Sequence, residues 1–152
     1  MNKNIRLITP AELPKIAILD RRVNKTPWSM IQYEECLAND SQQIYVLEIE
    51  HIICGFLVIS VTFDEVEILQ LGIDKNYQNQ KLATNLVNDV LARLDHKYSI
   101  SKVFLEVAAN NYPAMALYKK LGFTLITTRK DYYMVDGAGF DALVMMLDYA
   151  KS

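Results

Sequence analysis

The spacing of apolar residues along the chain predicts four helices. Apolar positions recur at helical spacing over residues 16–23, 29–37 and 82–94. Residues 9–12 read as a capping box ahead of the first helix, and a serine with a glutamine three residues later caps the second. A fourth, short helix is predicted within residues 110–122, where an asparagine begins it and a glycine ends it.

Elsewhere the period of the pattern falls to two, which predicts strands. We expect seven, over residues 5–8, 43–50, 52–62, 66–73, 102–107, 124–128 and 142–147. Only the strand–helix–strand piece 66–108 requires a parallel, right-handed crossover, so the other neighbours can pair antiparallel. The predicted fold class is α+β, a mixed, mostly antiparallel sheet with helices on its faces. No repeat, linker or low-complexity stretch divides residues 1–152, which we interpret as a single domain.

Composition narrows the class of protein. Sixteen basic and eighteen acidic residues give a net charge of −2, which argues against a dedicated nucleic-acid binder. The sequence contains no run of about 18 apolar residues, so no membrane span is expected. No apolar signal core follows the first residues, and we therefore expect a cytoplasmic protein. The cysteines form no CxxC pair, and His51 with Cys54 lacks a second pair of ligands, so no metal site is expected.

Two polar features are candidates for chemistry. The first is the strand end and helix start at 71–84, where the polar residues 74–80 lead into the long helix and free backbone N–H groups attract anions. The alternative is a plain connecting loop. Glu106 lies on the face of its strand opposite Val103, Leu105 and Val107, and Tyr118 lies late in the short helix. A carboxylate base and a phenol acid suit transfer to an amine, whereas the alternative roles are a solvated residue and helix packing.

Two aromatic features also leave alternatives open. Trp28, in the loop before the second helix, is either a core residue or the wall of a binding groove. Tyr132 and Tyr133, expected in the connection between the last two strands, either line the mouth of a site or cover the end of the sheet.

Several short segments share one recognisable pattern. They are residues 71–74 and 77–83, the Leu-Glu-Val strand at 105–107 and the Ala-Leu-Tyr…Leu-Gly-Phe helix at 116–123. Together they resemble the GNAT superfamily of acetyl-CoA-dependent N-acetyltransferases. The Pro-Trp-Ser at 27–29 and Asp-Tyr-Tyr at 131–133 are similar to the branch that acetylates the N-terminal alanine of ribosomal proteins. The resemblance implies the GNAT fold, whose sheet splays between strands 4 and 5.

The same resemblance implies a role for each site residue. Glu106 would be the general base, acting through water, and Tyr118 the acid that protonates the departing CoA thiolate. Trp28 and Tyr133 would line the acceptor groove. Backbone pairing with the acetyl-CoA arm would fall to Leu71, Gly72 and Ile73, a bond to the arm to Asn111, and contact with the pyrophosphate to Gln78, Asn79, Gln80, Lys81, Leu82, Ala83 and Thr84.

The phosphate loop departs from the family's pattern, Gln/Arg-x-x-Gly-x-Gly/Ala. This chain has Lys81 at the first glycine and Asn79 where an arginine is often found. Glycine serves there because the backbone approaches the phosphates closely. Either Lys81 adopts a helical backbone and its charge partly replaces the arginine, or the loop binds CoA poorly. We expect retained binding, because Glu106, Tyr118 and Asn111 are all present.

The resemblance therefore implies an enzyme with acetyl-CoA as cosubstrate and no metal. Its acceptor would be a protein N-terminus, the N-terminal alanine of a small-subunit ribosomal protein. The enzyme itself would have no nucleic-acid or membrane partner and would be a monomer or weak dimer. One alternative is another amine, in a small metabolite or a lysine side chain. A second alternative is a non-catalytic module that senses CoA or binds a partner, which the glycine-free loop favours.

Overall fold

The structure, a computed structural model, describes residues 2–78 and 81–151, with Val135 described by its backbone alone. The helices are α1 (Leu13–Val23), α2 (Met30–Leu37), α3 (Leu82–Tyr98) and α4 (Tyr112–Lys120), with 3-10 turns at Pro10–Glu12, Lys75–Tyr77 and Tyr149–Lys151. The strands are β1 (Lys3–Leu7), β2 (Gln42–Ile49), β3 (Ile52–Thr62), β4 (Glu65–Ile73), β5 (Lys102–Ala108), β6 (Thr124–Val135) and β7 (Ala138–Asp148). The predicted order of helices and strands is confirmed.

All of these strands belong to one sheet, in the order β1-β2-β3-β4-β5-β7-β6. Among the described strands only β4 and β5 pair in parallel, from Glu65 opposite Lys102 to Ile68 opposite Leu105. The other neighbours are antiparallel. Parallel strands need a long connection, and α3 supplies it. The predicted mixed sheet with one crossover is confirmed.

β4 and β5 separate after this short parallel ladder. β4 continues beside β3, and β5 continues beside β7. In β4, Leu69 has no partner, because the ladder with β3 passes from Ile68 opposite Ile59 to Gln70 opposite Val58. Such a β-bulge bends the strand and breaks its pairing. The sheet is therefore splayed between these two strands, as expected.

Helices cover both faces of the sheet. α1 and α2 pack on one face, here called the α1–α2 face, over a core that includes Leu13, Ile16, Tyr33, Val46, Phe56 and Val58. α3 and α4 pack on the other, the α3–α4 face, whose core includes Leu86, Val90, Leu94, Val103, Leu105 and Val107. Each such side chain stabilises the fold by about 1.5–3 kcal/mol through burial. Side chains alternate along a strand, so Phe104 and Glu106 of β5 lie on the α1–α2 face.

The ends of α1 and α2 follow from their capping residues. Ser29 Oγ accepts from the Gln32 N–H at 3.2 Å, and Gln32 Oε1 accepts from the Ser29 N–H at 2.8 Å. This capping box is the one that the sequence predicts. The earlier box, residues 9–12, encloses the 3-10 turn Pro10–Glu12, and α1 begins only at Leu13. Pro14 lacks an N–H and is tolerated only in the first turn of a helix, which explains the later start.

β6 and β7 extend beyond their predicted bounds and meet at a turn of residues 136–137. Their register jumps between Arg129 and Tyr133, so β6 holds extra residues in a bulge. Within it Asp131 takes a positive φ of 50°, and its N–H donates to Asp141 at 3.0 Å. The polar run in this bulge resembles a loop in sequence. The prediction that Tyr132 and Tyr133 lie in a connection is therefore wrong, since both lie in β6.

Candidate active site

The splay between β4 and β5 exposes an edge of polar backbone, here called the free edge. The Asp74 N–H donates to the Cys54 carbonyl of β3 at 2.7 Å. Peptide groups of an antiparallel strand alternate between its two neighbours, so Gly72 also faces β3, whereas Leu71 and Ile73 face the opening. An extended ligand with amide groups can pair with such an edge as another strand would.

Two side-chain amides contact the free edge. Asn24 Nδ2 donates to the Leu71 carbonyl at 3.1 Å, and Gln78 Nε2 donates to the Ile73 carbonyl at 2.9 Å. The structure thus brings together three of the predicted cofactor-binding residues, Leu71, Ile73 and Gln78. Each carbonyl oxygen has two lone pairs, so these bonds leave acceptor capacity for a ligand.

Gly72 provides space beside the free edge. A Cβ at this position would lie 2.6 Å from Phe56 Cε1 and 2.8 Å from Val23 Cγ2. Carbon atoms do not approach so closely without displacement of one of them. Glycine therefore allows α1 and β3 to pack tightly against β4. The role predicted for Gly72, backbone pairing with a cofactor, is at odds with the register, which turns its polar groups toward β3.

Lys81 begins α3 with a left-handed backbone. It is the N-cap residue, with φ of 60° and ψ of 19°, so the expectation of a helical backbone at Lys81 is wrong. Glycine adopts this conformation at almost no cost, while other residues pay a steric penalty. The side chain of Lys81 is exposed. Asn79 and Gln80, the other predicted phosphate-loop residues, lie outside the described part of the chain.

The first turn of α3 presents N–H groups beyond Lys81. The intrahelical ladder starts with the Asn85 N–H, which donates to the Lys81 carbonyl at 3.0 Å. The N–H groups of Leu82, Ala83 and Thr84 precede that bond and have no helical partner. The Leu82 side chain is buried in the core, so only its backbone can reach a ligand. The dipole of this long helix favours an anion at its start.

Glu106 is the first residue of β5 beyond the parallel ladder with β4. It is half-buried, and its Oε1 lies 3.1 Å from Arg129 Nη1. Tyr133 and Glu67 are close enough for the charge of Glu106 to raise the pKa of each, in addition to the effect of burial. Within residues 2–78 and 81–151, Arg129 is the one bonding partner of Glu106. Oε2 therefore remains for a water or an amine.

Tyr118 projects from α4 into the α3–α4 core. It is 7% exposed and its ring packs edge-on against Phe123, with centroids 5.6 Å apart. Burial and the nearby Tyr133 raise the pKa of Tyr118 above its usual value. At neutral pH the phenol therefore carries the proton that the proposed acid must supply, although burial makes it a weaker acid than a free tyrosine. Tyr133 is near enough to both Glu106 and Tyr118 for electrostatic interaction with each of them.

Asn111 serves α4 as its N-cap. Its Oδ1 accepts from the Ala114 N–H at 3.3 Å, and the residue is exposed. The side-chain oxygen is thus engaged in capping, while the side-chain nitrogen is left to bind a cofactor arm.

Trp28 is half-buried over the α1–α2 core. The centroid of its ring lies 5.2 Å from that of the Tyr33 ring, and the backbone N–H of Trp28 donates to Asp20 Oδ2 at 3.0 Å. Core packing and a groove wall are both consistent with this position, since one part of the ring is covered and another part is accessible. No aromatic contact joins Trp28 to Tyr133 among the residues that the structure describes.

Four residues near the opening are not among the sequence candidates. They are Asp20, Asn24, Glu67 and Arg129. For Asp20 a signal was available: it lies four residues after Ile16 and three before Val23, so it is an acid on the apolar stripe of α1. For Arg129 no local signal exists, because the pairing of β5, β7 and β6 brings it to Glu106.

Two kinds of feature are absent from the described residues. No three His, Cys, Asp or Glu side chains within them are grouped so as to hold a metal ion. None of the described helices has the length and apolar character needed to cross a membrane.

Comparisons with known proteins identify the family of this chain. The model of the acetyltransferase (GNAT) family matches residues 11–123. The ribosomal protein bS18-alanine N-acetyltransferase of Escherichia coli K12 is 30% identical over 146 residues, covering 94% of this chain and 95% of the relative.

Solved structures agree with this match. The crystal structure of the ribosomal-protein-S18-alanine N-acetyltransferase from Escherichia coli has a TM-score of 0.89 at 27% identity, covering 96% of this chain and 93% of that chain. Arabidopsis thaliana NAA60 in complex with acetyl-CoA shares the fold, with a TM-score of 0.83 at 20% identity, covering 96% of this chain and 98% of that chain. By sequence and by fold alike, this chain belongs to the GNAT family of acetyltransferases.

Proposed function

We propose that this chain transfers the acetyl group of acetyl-CoA to the α-amine of a protein N-terminus that begins with alanine. A ribosomal protein is the proposed acceptor, because the relative that is 30% identical over nearly the whole chain bears that activity in its name. The observation that carries the proposal is the opening itself. A free polar edge lies on β4, and a carboxylate stands on β5 just where the two strands part. Residues 1–152 are proposed to act as one acetyltransferase domain.

The cofactor is proposed to lie in this opening. Its extended arm, which contains amide groups, would pair with Leu71 and Ile73 as a strand pairs with its neighbour. Its phosphates would meet the first turn of α3, where free N–H groups, the helix dipole and the charge of Lys81 favour an anion. An N–H of the free edge would hydrogen-bond the thioester carbonyl and stabilise the oxyanion that forms there.

The reaction is proposed to proceed by direct transfer. An α-ammonium has a pKa of about 7.7–8.0, so removal of one proton by Glu106, through water, is a modest requirement at neutral pH. The amine nitrogen then attacks the thioester carbon and gives its second proton to solvent through the same water. The carbon–sulfur bond breaks as the tetrahedral intermediate collapses. Tyr118 gives its proton to the departing thiolate and regains one from solvent. No covalent enzyme intermediate is involved.

A peptide assay tests the proposed acceptor. A hexapeptide beginning with alanine should be acetylated at its α-amine, as located by mass spectrometry. A matched peptide with a blocked N-terminus and a lysine should remain unmodified. Acetylation of the lysine peptide alone would identify a side-chain amine as the acceptor. Turnover of neither peptide, with acetyl-CoA bound, would favour the non-catalytic module.

Two substitutions test the catalytic assignment. Glu106→Gln should lower kcat by roughly 10²–10⁴-fold, which is the usual contribution of a general base. Tyr118→Phe keeps the ring packing and removes only the proton donor, so kcat should fall without a fall in Tm. Glu67→Gln is the matched control, since it removes a neighbouring carboxylate from the same face of the sheet. Wild-type kcat in Glu106→Gln would contradict the role of Glu106.

A further inference from the structure

Asp20 is a completely buried carboxylate in α1. Its side chain is 0% exposed. Oδ2 accepts from the Tyr33 hydroxyl at 2.6 Å, from the Trp28 backbone N–H at 3.0 Å and from Gln70 Nε2 at 2.9 Å. Oδ1 accepts from Asn24 Nδ2 at 2.7 Å. Among the described residues no cation pairs with it, so uncharged donors alone satisfy this group.

A buried carboxylate is a costly way to stabilise a fold. Removing a charge from water costs several kcal/mol, and apolar residues of similar volume often serve folding as well or better. Burial and then the charge of Asp20 raise the pKa of Tyr33, so that phenol remains a donor. The donors come from α2, β4 and the loop of residues 24–29, here called the acceptor loop. Asp20 thus joins elements that an apolar side chain would only bring into contact.

Asn24 extends this network to the free edge. Its Nδ2 donates to Asp20 Oδ1 and also to the Leu71 carbonyl, at 2.7 Å and 3.1 Å. Asn24 is the C-cap of α1 and begins the acceptor loop. The same loop carries Trp28, whose N–H is held by Asp20. One hydrogen-bonded chain therefore runs from the free edge of β4 to the loop that holds Trp28.

We propose that Asp20 and Asn24 are positioning residues that couple the free edge of β4 to the acceptor loop. This inference rests on the proposed function, which places the acetyl-CoA arm at Leu71 and the peptide beside Trp28. An arm that pairs with the Leu71 carbonyl restrains the Asn24 amide, and through Asp20 it restrains the Trp28 backbone. The acceptor peptide then meets a preorganised loop. By linkage, the peptide must raise the affinity for the cofactor by the same factor.

The coupling is measured with CoA, which binds without reacting. The Kd of the alanine hexapeptide is determined by calorimetry with and without saturating CoA. Wild type should bind the peptide at least about five-fold more tightly with CoA, the lower end of typical coupling between sites. In Asn24→Ala the ratio of the two Kd values should fall to about one, because the bond between Asp20 and the free edge is gone.

Tyr33→Phe is the matched control. It removes one donor to Asp20 and leaves the Asn24 bridge in place, so Tm should fall while the ratio of Kd values stays as in wild type. A merely structural role of the network would move Tm in both variants and the ratio in neither. An unchanged ratio in Asn24→Ala, or a wild-type ratio of one, would overturn the coupling alone. A wild type that binds no CoA would overturn the proposed function as well, so the two failures are distinguishable.

Discussion

At the scale of single residues, Lys81 takes the backbone conformation that glycine would adopt freely. Its φ of 60° and ψ of 19° lie in the left-handed region, which costs a residue with a Cβ about 1–2 kcal/mol. Glycine removes that cost, but it loses more conformational entropy on folding, by roughly 0.5–1 kcal/mol. The two effects nearly cancel, so the chain retains a lysine there with little loss of stability.

The left-handed geometry makes a prediction for two substitutions. Lys81→Gly should leave Tm unchanged or raise it by roughly 1–3 °C, at about 2–4 °C per kcal/mol for a domain of this size. Lys81→Val should lower Tm, because a β-branched residue at positive φ is strained. Differential scanning calorimetry without ligand measures both. Equal Tm values for the Gly and Val variants would contradict the left-handed backbone at Lys81.

Residues of the candidate site differ in how far the sequence alone could identify them. The position of Glu106 on the face of β5 opposite Val103, Leu105 and Val107 follows from alternation, and the structure agrees. The partner of Glu106 does not follow, because Arg129 reaches it only after β7 has paired between β5 and β6. Lys81 was expected in a helical conformation, and its left-handed one depends on how the loop enters α3. The local sequence pattern predicts on which face a side chain lies. Its bonding partner depends on the pairing of strands that are distant in sequence.

At the scale of elements, Arg6 joins β1, β2 and the start of α1. Its guanidinium bonds Glu12 through two nitrogens, at 2.7 Å and 2.8 Å, and bonds Glu48 at 2.8 Å. Hydrogen bonds from Arg6 lower the pKa of Glu12 to about 2, against an ordinary 4.5. A carboxyl group whose pKa is lowered by folding stabilises the protein at pH values above the ordinary pKa of that group. That stabilisation is lost as pH falls from about 4.5 toward 2.

This ion pair predicts a pH-dependent effect of Glu12→Gln. At pH 7 the variant should lose roughly 0.5–1 kcal/mol, since the pair is partly exposed to solvent. That loss corresponds to about 1–4 °C in Tm, and it should shrink as pH falls below about 4.5. Thermal melts of both proteins between pH 7 and pH 3 measure the difference. Glu35→Gln on the exposed side of α2 is the control and should show none. A difference in Tm between the Glu12 variant and wild type that stays constant with pH would refute the coupling.

At the scale of the whole molecule, cofactor binding should stabilise the fold. A ligand present at 100 times its Kd adds about 2.7 kcal/mol. For a domain of this size that amount corresponds to a rise in Tm of roughly 5–10 °C. β4 and β5 belong to one sheet, and α3 packs on that sheet in the same core. A ligand bound by all three should therefore raise the free energy of global unfolding.

Thermal melts with acetyl-CoA test this expectation. Wild type with saturating acetyl-CoA should show a rise of that size. S-acetyl-pantetheine, which carries the arm without the phosphates, should raise Tm less, since the first turn of α3 is then left without an anion. No shift with acetyl-CoA at millimolar concentration would contradict the proposed cofactor site and favour the non-catalytic module.

The sequence by itself determined the order of helices and strands, the parallel crossover and the two-sided core. These follow from the period of apolar residues and from capping side chains, which act within a few residues along the chain. Tertiary structure alone decided the extent of β6 and β7, since a bulge inside a strand has the same polar composition as a loop. It also decided the free edge, the pairing of Glu106 with Arg129 and the donors around Asp20. The free edge and the Glu106–Arg129 pair depend on strand pairing between residues far apart in sequence. The donors around Asp20 depend on the packing of α2, β4 and the acceptor loop against α1.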